Sequence, residues 1–239
     1  MPRAIGQVSG LWRYPVKSML GEAMPVLEFD RRGVVADREF AVRNAEGKFG
    51  SGKNTRRFRR IDGLFGFRAQ LEGGIPVIRF PDGTRMSSAD PVIHETLSGA
   101  LGQPVTLAKE GAISHFDQGP VHLVTSASLA WLRARLPESQ IDMRRFRPNI
   151  IVEVLGAAGP VEQTWIGSVL SLGRRLRLRV VEPTERCVMI TNQQDELPSD
   201  TGILRELAAI SAACFGVYAE VLGVGEVHLG DDVGLVCSG

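Results

Sequence analysis

The stretch Val180–Thr191, VVEPTERCVMIT, carries a chain from the end of an apolar strand to a thiol. It is led in by Leu176-Arg177-Leu178-Arg179-Val180-Val181, an alternating apolar/polar run that becomes fully apolar, as a strand entering a core does. Pro183 has no N–H to offer a ladder, so Glu182–Glu185 is expected to break that strand. Arg186-Cys187 follows at once and sets a guanidinium beside a thiol at a strand end. A neighbouring cation favours the thiolate, the form that attacks or binds metal. The bland alternative is a small buried hydrophobe, because free cysteine is among the most buried residue types.

Working outward, Trp165–Leu172 and Leu176–Val181 read as a hairpin about Gly173, and Phe146–Val154 (FRPNIIVEV) as a strand opening on Arg147, Pro148 and Asn149. Downstream, Thr201–Ala213 is expected to be helical, with Ser199 or Asp200 near its cap. Short strands over Phe215–Val221, Glu226–Leu229 and Val233–Val236 follow. Upstream, Val121–Val124 reads as a strand, and Thr125–Leu136 has the Leu129, Leu132, Leu136 spacing of an amphipathic helix. Asp90-Pro91 opens another helix that Gly99 or Gly102 ends, after short strands within Phe67–Phe80 and Thr84–Met86. Nearer the N-terminus, Ile5–Val16 is a strand broken at Tyr14-Pro15, Met24–Phe29 a second, and Val34–Val42 (VVADREFAV) its return. On that return strand Arg38 would point opposite to Asp37 and Glu39. Lys17, Ser18 and Arg38 would then make an anion pocket from a point charge, a neutral donor and a planar fork, or would simply be solvated surface groups. Many short strands with a few helices predict an α+β, mostly β fold of curled or barrel-like sheets.

Composition narrows the function. The net charge of +1 over 239 residues leaves no global field for a polyanion, so a basic site must be a local cluster. Cys187, Cys214 and Cys237 form neither a disulfide framework nor a Cys-x-x-Cys site, which predicts a reducing, cytoplasmic setting. The first residues carry no secretion signal, and the longest apolar stretch, Leu207–Ala219, is too short for a membrane span. His94, His115, His122 and His228 lack i,i+4 spacing, so iron or zinc held by histidines is not expected. Gly47–Arg60 (GKFGSGKNTRRFRR) is the most basic segment. Asn54 follows Lys53, so it is no phosphate-binding loop, and only Phe49 and Phe58 could stack a base, so no nucleic-acid partner is expected. It reads as a solvated loop or as a cationic lid over an anionic ligand.

Four separated segments together resemble the molybdenum-cofactor sulfurase C-terminal (MOSC) family. They are Leu11–Ser18 (LWRYPVKS), Ala36–Phe40 (ADREF), Phe146–Ile150 (FRPNI), and Arg186-Cys187 with the closing FGVYAEVLGVGEVHLGDDV from Phe215. The chain is similar to the subgroup of bacterial N-hydroxylated-base reductases and the mitochondrial amidoxime reducing component. The resemblance implies an N-terminal β-barrel-like domain, residues 1–90, packed on a β-barrel MOSC domain, residues 91–239, with molybdopterin between them. It implies that Cys187 is the thiolate on molybdenum, that Arg186, also at the cofactor, helps keep it deprotonated, and that Lys17, Ser18 and Arg38 hold the cofactor's anionic end. Arg147 and Asn149 would touch the pterin or phosphate, and Thr125 and Ser126 lie where a further contact is expected. Charge-assisted bonds of this kind are worth roughly 1.5–3 kcal/mol each.

The implied reaction is two-electron reduction of a small N-hydroxylated substrate to the N–H compound and water. No iron–sulfur cluster and no pyridoxal phosphate are expected in this chain, so electrons would come from a separate flavoprotein, ferredoxin or cytochrome b5-like donor. The alternative is a non-catalytic module that binds the cofactor or carries sulfur as a Cys187 persulfide. One departure bears on the chemistry. The subgroup follows its cysteine with a threonine and then Asp-Pro, whereas here Thr191 is followed by Asn192-Gln193-Gln194 and the first carboxylate is Asp195.

Overall fold

The computed structural model describes residues 2–236, and Cys237 lies outside them. Seven strands close into a barrel because Arg3–Arg13 pairs on one side with Asp232–Val236 and on the other with Ile150–Glu153. The ring runs from Ile150–Glu153 through Val121–Thr125, Cys214–Gly223, Leu176–Glu185 and Val169–Leu172 to Asp232–Val236. Closure leaves no unpaired edge, and the inward residues of each strand fill the interior. Leu176, Leu178 and Val180 are fully buried, as the alternation predicts, together with Leu123, Ile150, Val152, Leu170 and Val217. Val121–Thr125 and Ile150–Glu153 run parallel, joined by a crossover that contains α2 (Ser126–Arg135).

A half-barrel packs beside it. Its largest sheet orders Val105–Lys109, Phe40–Asn44, Phe49–Ser51 and Phe58–Arg60, with Val16–Lys17 laid parallel on Phe40–Asn44. A three-stranded sheet of Arg68–Glu72, Ile75–Arg79 and Arg85–Ser87 joins it over a core that includes Val16, Met19, Val42, Phe67, Ile78 and Leu97. α1 (Ile93–Leu101) follows the Asp90 turn, whose carboxylate accepts the Val92 N–H at 3.0 Å, and ends at Gly102 on left-handed backbone. No helix among the described residues is long and apolar enough to cross a membrane.

Four local expectations give way to tertiary structure. The strand Leu176–Glu185 runs through Pro183 instead of stopping there. Register shifts between Val180 and Glu182 and between Pro183 and Glu185 let the ladder skip the missing N–H. The return strand Val34–Val42 is split into Gly33–Val34 and Phe40–Asn44 by a turn in which Ala36 (φ 62°) and Arg38 (φ 52°) are left-handed. Buried Asp37 draws that turn inward by accepting the Tyr14 N–H at 2.7 Å, while Arg38 N–H donates to the Tyr14 carbonyl at 2.7 Å. Likewise Phe146–Asn149 precedes its strand, which begins at Ile150, and Trp165 lies in a 3-10 turn ahead of Val169–Leu172.

α2 begins on a buried carboxylate. Thr125 caps it by accepting the Ser128 N–H at 3.2 Å, and the hydroxyls of Thr125 and Ser128 both donate to Glu162, at 2.6 Å. Burial raises the Glu162 pKa above its ordinary 4.5, outweighing these bonds. A carboxyl that resists ionisation in the fold withdraws stability as pH rises from its unfolded value through its folded one. Glu162→Gln, which keeps the shape and cannot ionise, should therefore gain in Tm on the wild type from pH 4 to pH 8. A Tm difference that stays constant over this range in thermal unfolding would contradict it.

Candidate functional site

Where the strand Arg3–Arg13 ends, Tyr14-Pro15 hands the chain from the closed barrel to the half-barrel, and Val16–Lys17 joins the other sheet. A cavity of about 200 Å³ opens between the two at this crossing. Lys17, Ser18, Arg38, Arg147, Asn149, Arg186 and Cys187 all line it. Thr125 and Ser126 do not. Their hydroxyls are taken up at the start of α2, Thr125 with Glu162 and Ser126 accepting the Val154 N–H at 3.1 Å.

The cations are held from below by carbonyls and aromatic rings. Lys17 Nζ is buried, donates to the His115 carbonyl at 2.7 Å and to Asp117 Oδ1 at 2.9 Å, and sits 5.1 Å from the centre of the Phe58 ring. Burial pushes its pKa down to about 8, against the pull of Asp117. Arg38 pairs with Asp37 and reaches the Arg147 carbonyl at 3.3 Å. Arg147 donates to the Met19 carbonyl at 2.6 Å, and burial brings its pKa down to about 10. The two guanidinium groups lie over the Tyr14 ring, at 4.9 and 4.2 Å from its centre. Arg186 donates to the Phe146 carbonyl at 2.8 Å, and burial lowers its pKa too. Ser18 Oγ donates to the Gly50 carbonyl at 2.9 Å. Asn149 clasps two strands, accepting from His122 N–H and donating to the Trp12 carbonyl. Ser18 (φ 64°), Arg38 and Arg147 (φ 56°) all stand on left-handed backbone, which costs a non-glycine residue about 1–3 kcal/mol.

Several lining residues gave no sequence signal of their own. The loop His115–Gly119 supplies Asp117. The partner strands Val121–Thr125 and Cys214–Gly223 place His122 opposite Tyr218, with ring centres 5.7 Å apart. Gly119 is the one trace in the chain: a Cβ there would fall 2.6 Å from Tyr218 Cβ and Cγ. Burial holds the His122 pKa well below 6.5, so the ring is neutral, and raises that of the Tyr218 phenol, so it keeps its proton. Arg145, fully buried, donates to the carbonyls of Gln140, Ile190, Asn192 and Pro198 and so fixes the segment that follows Cys187. Asp195 does not reach the cavity. It pairs with Arg68 at 2.6 Å and faces a separate open groove.

This arrangement suits an anion that brings its own metal. Arg147 Nη2 and Arg186 Nε are buried without a hydrogen-bond partner, so two of the guanidinium groups that line the cavity each keep an unsatisfied donor. Cys187 is half-buried at the start of the 3-10 turn Val188–Thr191. Among the described residues no three of His, Cys, Asp and Glu are grouped to hold a metal ion, so a metal at Cys187 must carry its remaining ligands with it. A phosphate-bearing dithiolene that presents a soft metal meets both conditions.

A closed barrel, a half-barrel and a cationic cavity with a single thiol define a mostly β protein with one anion-suited cavity at the junction of its sheets. The MOSC domain profile matches residues 110–234, and that of the MOSC N-terminal beta barrel domain matches residues 5–87. The chain belongs to the MOSC domain family. It is 30% identical over 139 residues to mitochondrial amidoxime reducing component 2 of Rattus norvegicus, covering 51% of this chain and 38% of that one. It is also 30% identical over 151 residues to the Homo sapiens protein of the same name, covering 54% and 40%. The match thus spans about two fifths of these relatives' length. The solved YUAD protein from Bacillus subtilis superposes over 96% of this chain and 94% of its own at a TM-score of 0.55, with 15% identity, a likeness of fold alone.

Lys17 makes anion binding pH-dependent. Above about pH 8 the free side chain is neutral, so an anion that needs it charged must draw in a proton. Affinity for sulfate, whose charge is constant there, should fall about tenfold per pH unit between pH 8 and 9.5. Calorimetric titration should find that slope abolished in Lys17→Met, and an equal slope in the variant would assign it to another group.

Proposed function

We propose that this chain binds the molybdenum cofactor and reduces N-hydroxylated compounds, amidoximes and N-hydroxylated bases, to their N–H forms. What carries the reading is the pair of unpartnered guanidinium nitrogens, on Arg147 and Arg186, in residues that line a cavity whose one thiol is Cys187. The names of the relatives supply the substrate class. In this reading residues 1–90 and 91–239 are two domains that exchange elements, Arg3–Arg13 completing the closed barrel and Val105–Lys109 the half-barrel's sheet, and the cofactor lies at their junction. The reaction takes two electrons and two protons into an N–OH group and releases water.

When bound, the cofactor supplies the two-electron chemistry at the N–O bond. Cys187 would be its protein ligand, and Lys17, Arg38, Arg147 and Arg186 would hold its anionic end. The groups that handle protons are this chain's own. Tyr218 has a phenol held protonated by burial, and its hydroxyl has no protein partner among the described residues. In this reading it would give a proton to the leaving oxygen. Asp117, at the same wall, has an exposed side chain whose pKa is lowered by Lys17, and it would stay ionised, fixing the lysine. Electrons would arrive from a separate protein. A reducing cytoplasm suits Cys187 and Cys214, both free thiols.

Protein made in a host that produces the cofactor should carry close to one molybdenum and one pterin per chain. It should reduce benzamidoxime with a chemical reductant. Cys187→Ser should lose the metal or alter its spectrum, and lose turnover. Absence of metal and pterin after reconstitution would overturn the reading, and a labile extra sulfur on Cys187 in such protein would point to the sulfur carrier instead. Tyr218→Phe should keep its molybdenum while kcat falls by roughly 10²-fold, the usual scale for a lost general acid. An unchanged kcat would remove the phenol from the mechanism.

A further inference from the structure

The cations that the cavity does not use stand at its rim. Gly47–Arg60 holds Lys48, Lys53, Arg56, Arg57, Arg59 and Arg60 and no carboxylate, in a chain whose net charge is only +1. Lys53 lines the cavity. Arg57 bonds the Ser114 carbonyl and lies 5.4 Å from the ring centres of Phe49 and Phe58. Lys48 and Arg60 are paired, with Glu46 and Asp62. Arg56 and Arg59 are exposed, do not line the cavity, and among the described residues have no ion-pair or side-chain hydrogen-bond partner.

This segment abuts the thiol. A Cβ at Gly52 would lie 2.6 Å from Met189 Sδ and 3.2 Å from Val188 Cγ1, so the loop rests on the two residues after Cys187. Val188 is 38% exposed there, and Ile113, next to the Ser114 that Arg57 holds, is 62% exposed. Exposed apolar side chains among solvated charges are the anatomy of a protein interface, and a small one of high charge suits a transient redox encounter. Nucleic acid is a poor fit, because Phe49 and Phe58, the segment's two rings, are buried at 3% and 7% exposure and cannot stack a base.

We propose that this face, Arg56 and Arg59 with Val188 and Ile113, docks an acidic electron-donor protein beside Cys187. The proposal rests on the reductase reading above, in which each turnover consumes two electrons from a reduced donor and two protons. The carboxylate-free positive charge of Gly47–Arg60 would steer the donor and set its orientation, with an on-rate that falls as salt rises.

The test uses the cofactor-loaded protein, its Arg56→Glu/Arg59→Glu variant, and an acidic plant-type ferredoxin as probe. Calorimetry should show ferredoxin bound to the wild type at low ionic strength, more weakly at physiological ionic strength, and at least about tenfold more weakly by the variant. KM for reduced ferredoxin should rise by the same factor, with turnover on reduced methyl viologen unchanged. No binding by the wild type, equal binding by the variant, or an equal loss with viologen would each overturn the docking face. Failure of the wild type to turn over with viologen would overturn the reductase reading instead, and the binding comparison would still decide the docking.

Discussion

Tyr14 is where the two barrels are tied together, and the site depends on that tie. Its N–H is taken by buried Asp37, its carbonyl by Arg38 N–H, its hydroxyl donates to the Pro148 carbonyl, and its ring faces two guanidinium groups. Arg38 comes from the half-barrel side and Arg147 from the closed barrel, so one residue brings together cations that are 109 positions apart. Like charges so close repel. The negative ring face, the Asp37 carboxylate and the carbonyls of Met19 and Arg147 offset that repulsion. Burial raises the Tyr14 pKa, so the phenol stays neutral between its two cations.

The same constraint explains the strained backbone. Ser18, Arg38 and Arg147 are left-handed, and each lies within four residues of Tyr14 or of a residue hydrogen-bonded to it. A strand running regularly through any of them would turn its side chain to the opposite face. Local strain at three positions is the cost of aiming donors into one cavity. It is met by the closed barrel, whose core of Val8, Leu123, Leu170 and Leu178 is far larger than the site it supports. The result is a site preorganised for an anion, with charged donors already desolvated and two of their nitrogens unpaired.

Charge is divided by position. Cations that line the cavity are buried, bound to carbonyls and lowered in pKa where burial dominates, as at Lys17, Arg147 and Arg186. On Gly52–Arg60, Lys53 lines the cavity and Arg57 is half-buried, while Arg56, Arg59 and Arg60 stay in solvent. A net charge of +1 conceals both groups, because acidic residues elsewhere balance them.

The local pattern of the chain, with the family resemblance it carries, was enough for the class of fold and for many of the residues that line the cavity. Alternation at Leu176–Val180 marks an inward-facing strand, and the Thr125 cap and Gly102 stop mark helix ends. The four short segments that resemble a known family contain Lys17, Ser18, Arg38, Arg147, Asn149, Arg186 and Cys187. Such features are legible because they depend on neighbours two to four residues away. Other features depend on partners far along the chain. Pro183 stays in a ladder because Cys214–Gly223 shifts register to receive it, and Arg38 leaves its strand because Asp37 has a better bond at Tyr14. Thr125 and Ser126 turn to α2, while Asp117 and Tyr218 enter a cavity that no local pattern announces. The sequence alone determined which residues are able to bind an anion and a soft metal. Only the tertiary structure decided which of them meet, because hydrogen bonds between distant segments outweigh the 1–3 kcal/mol preferences of single residues.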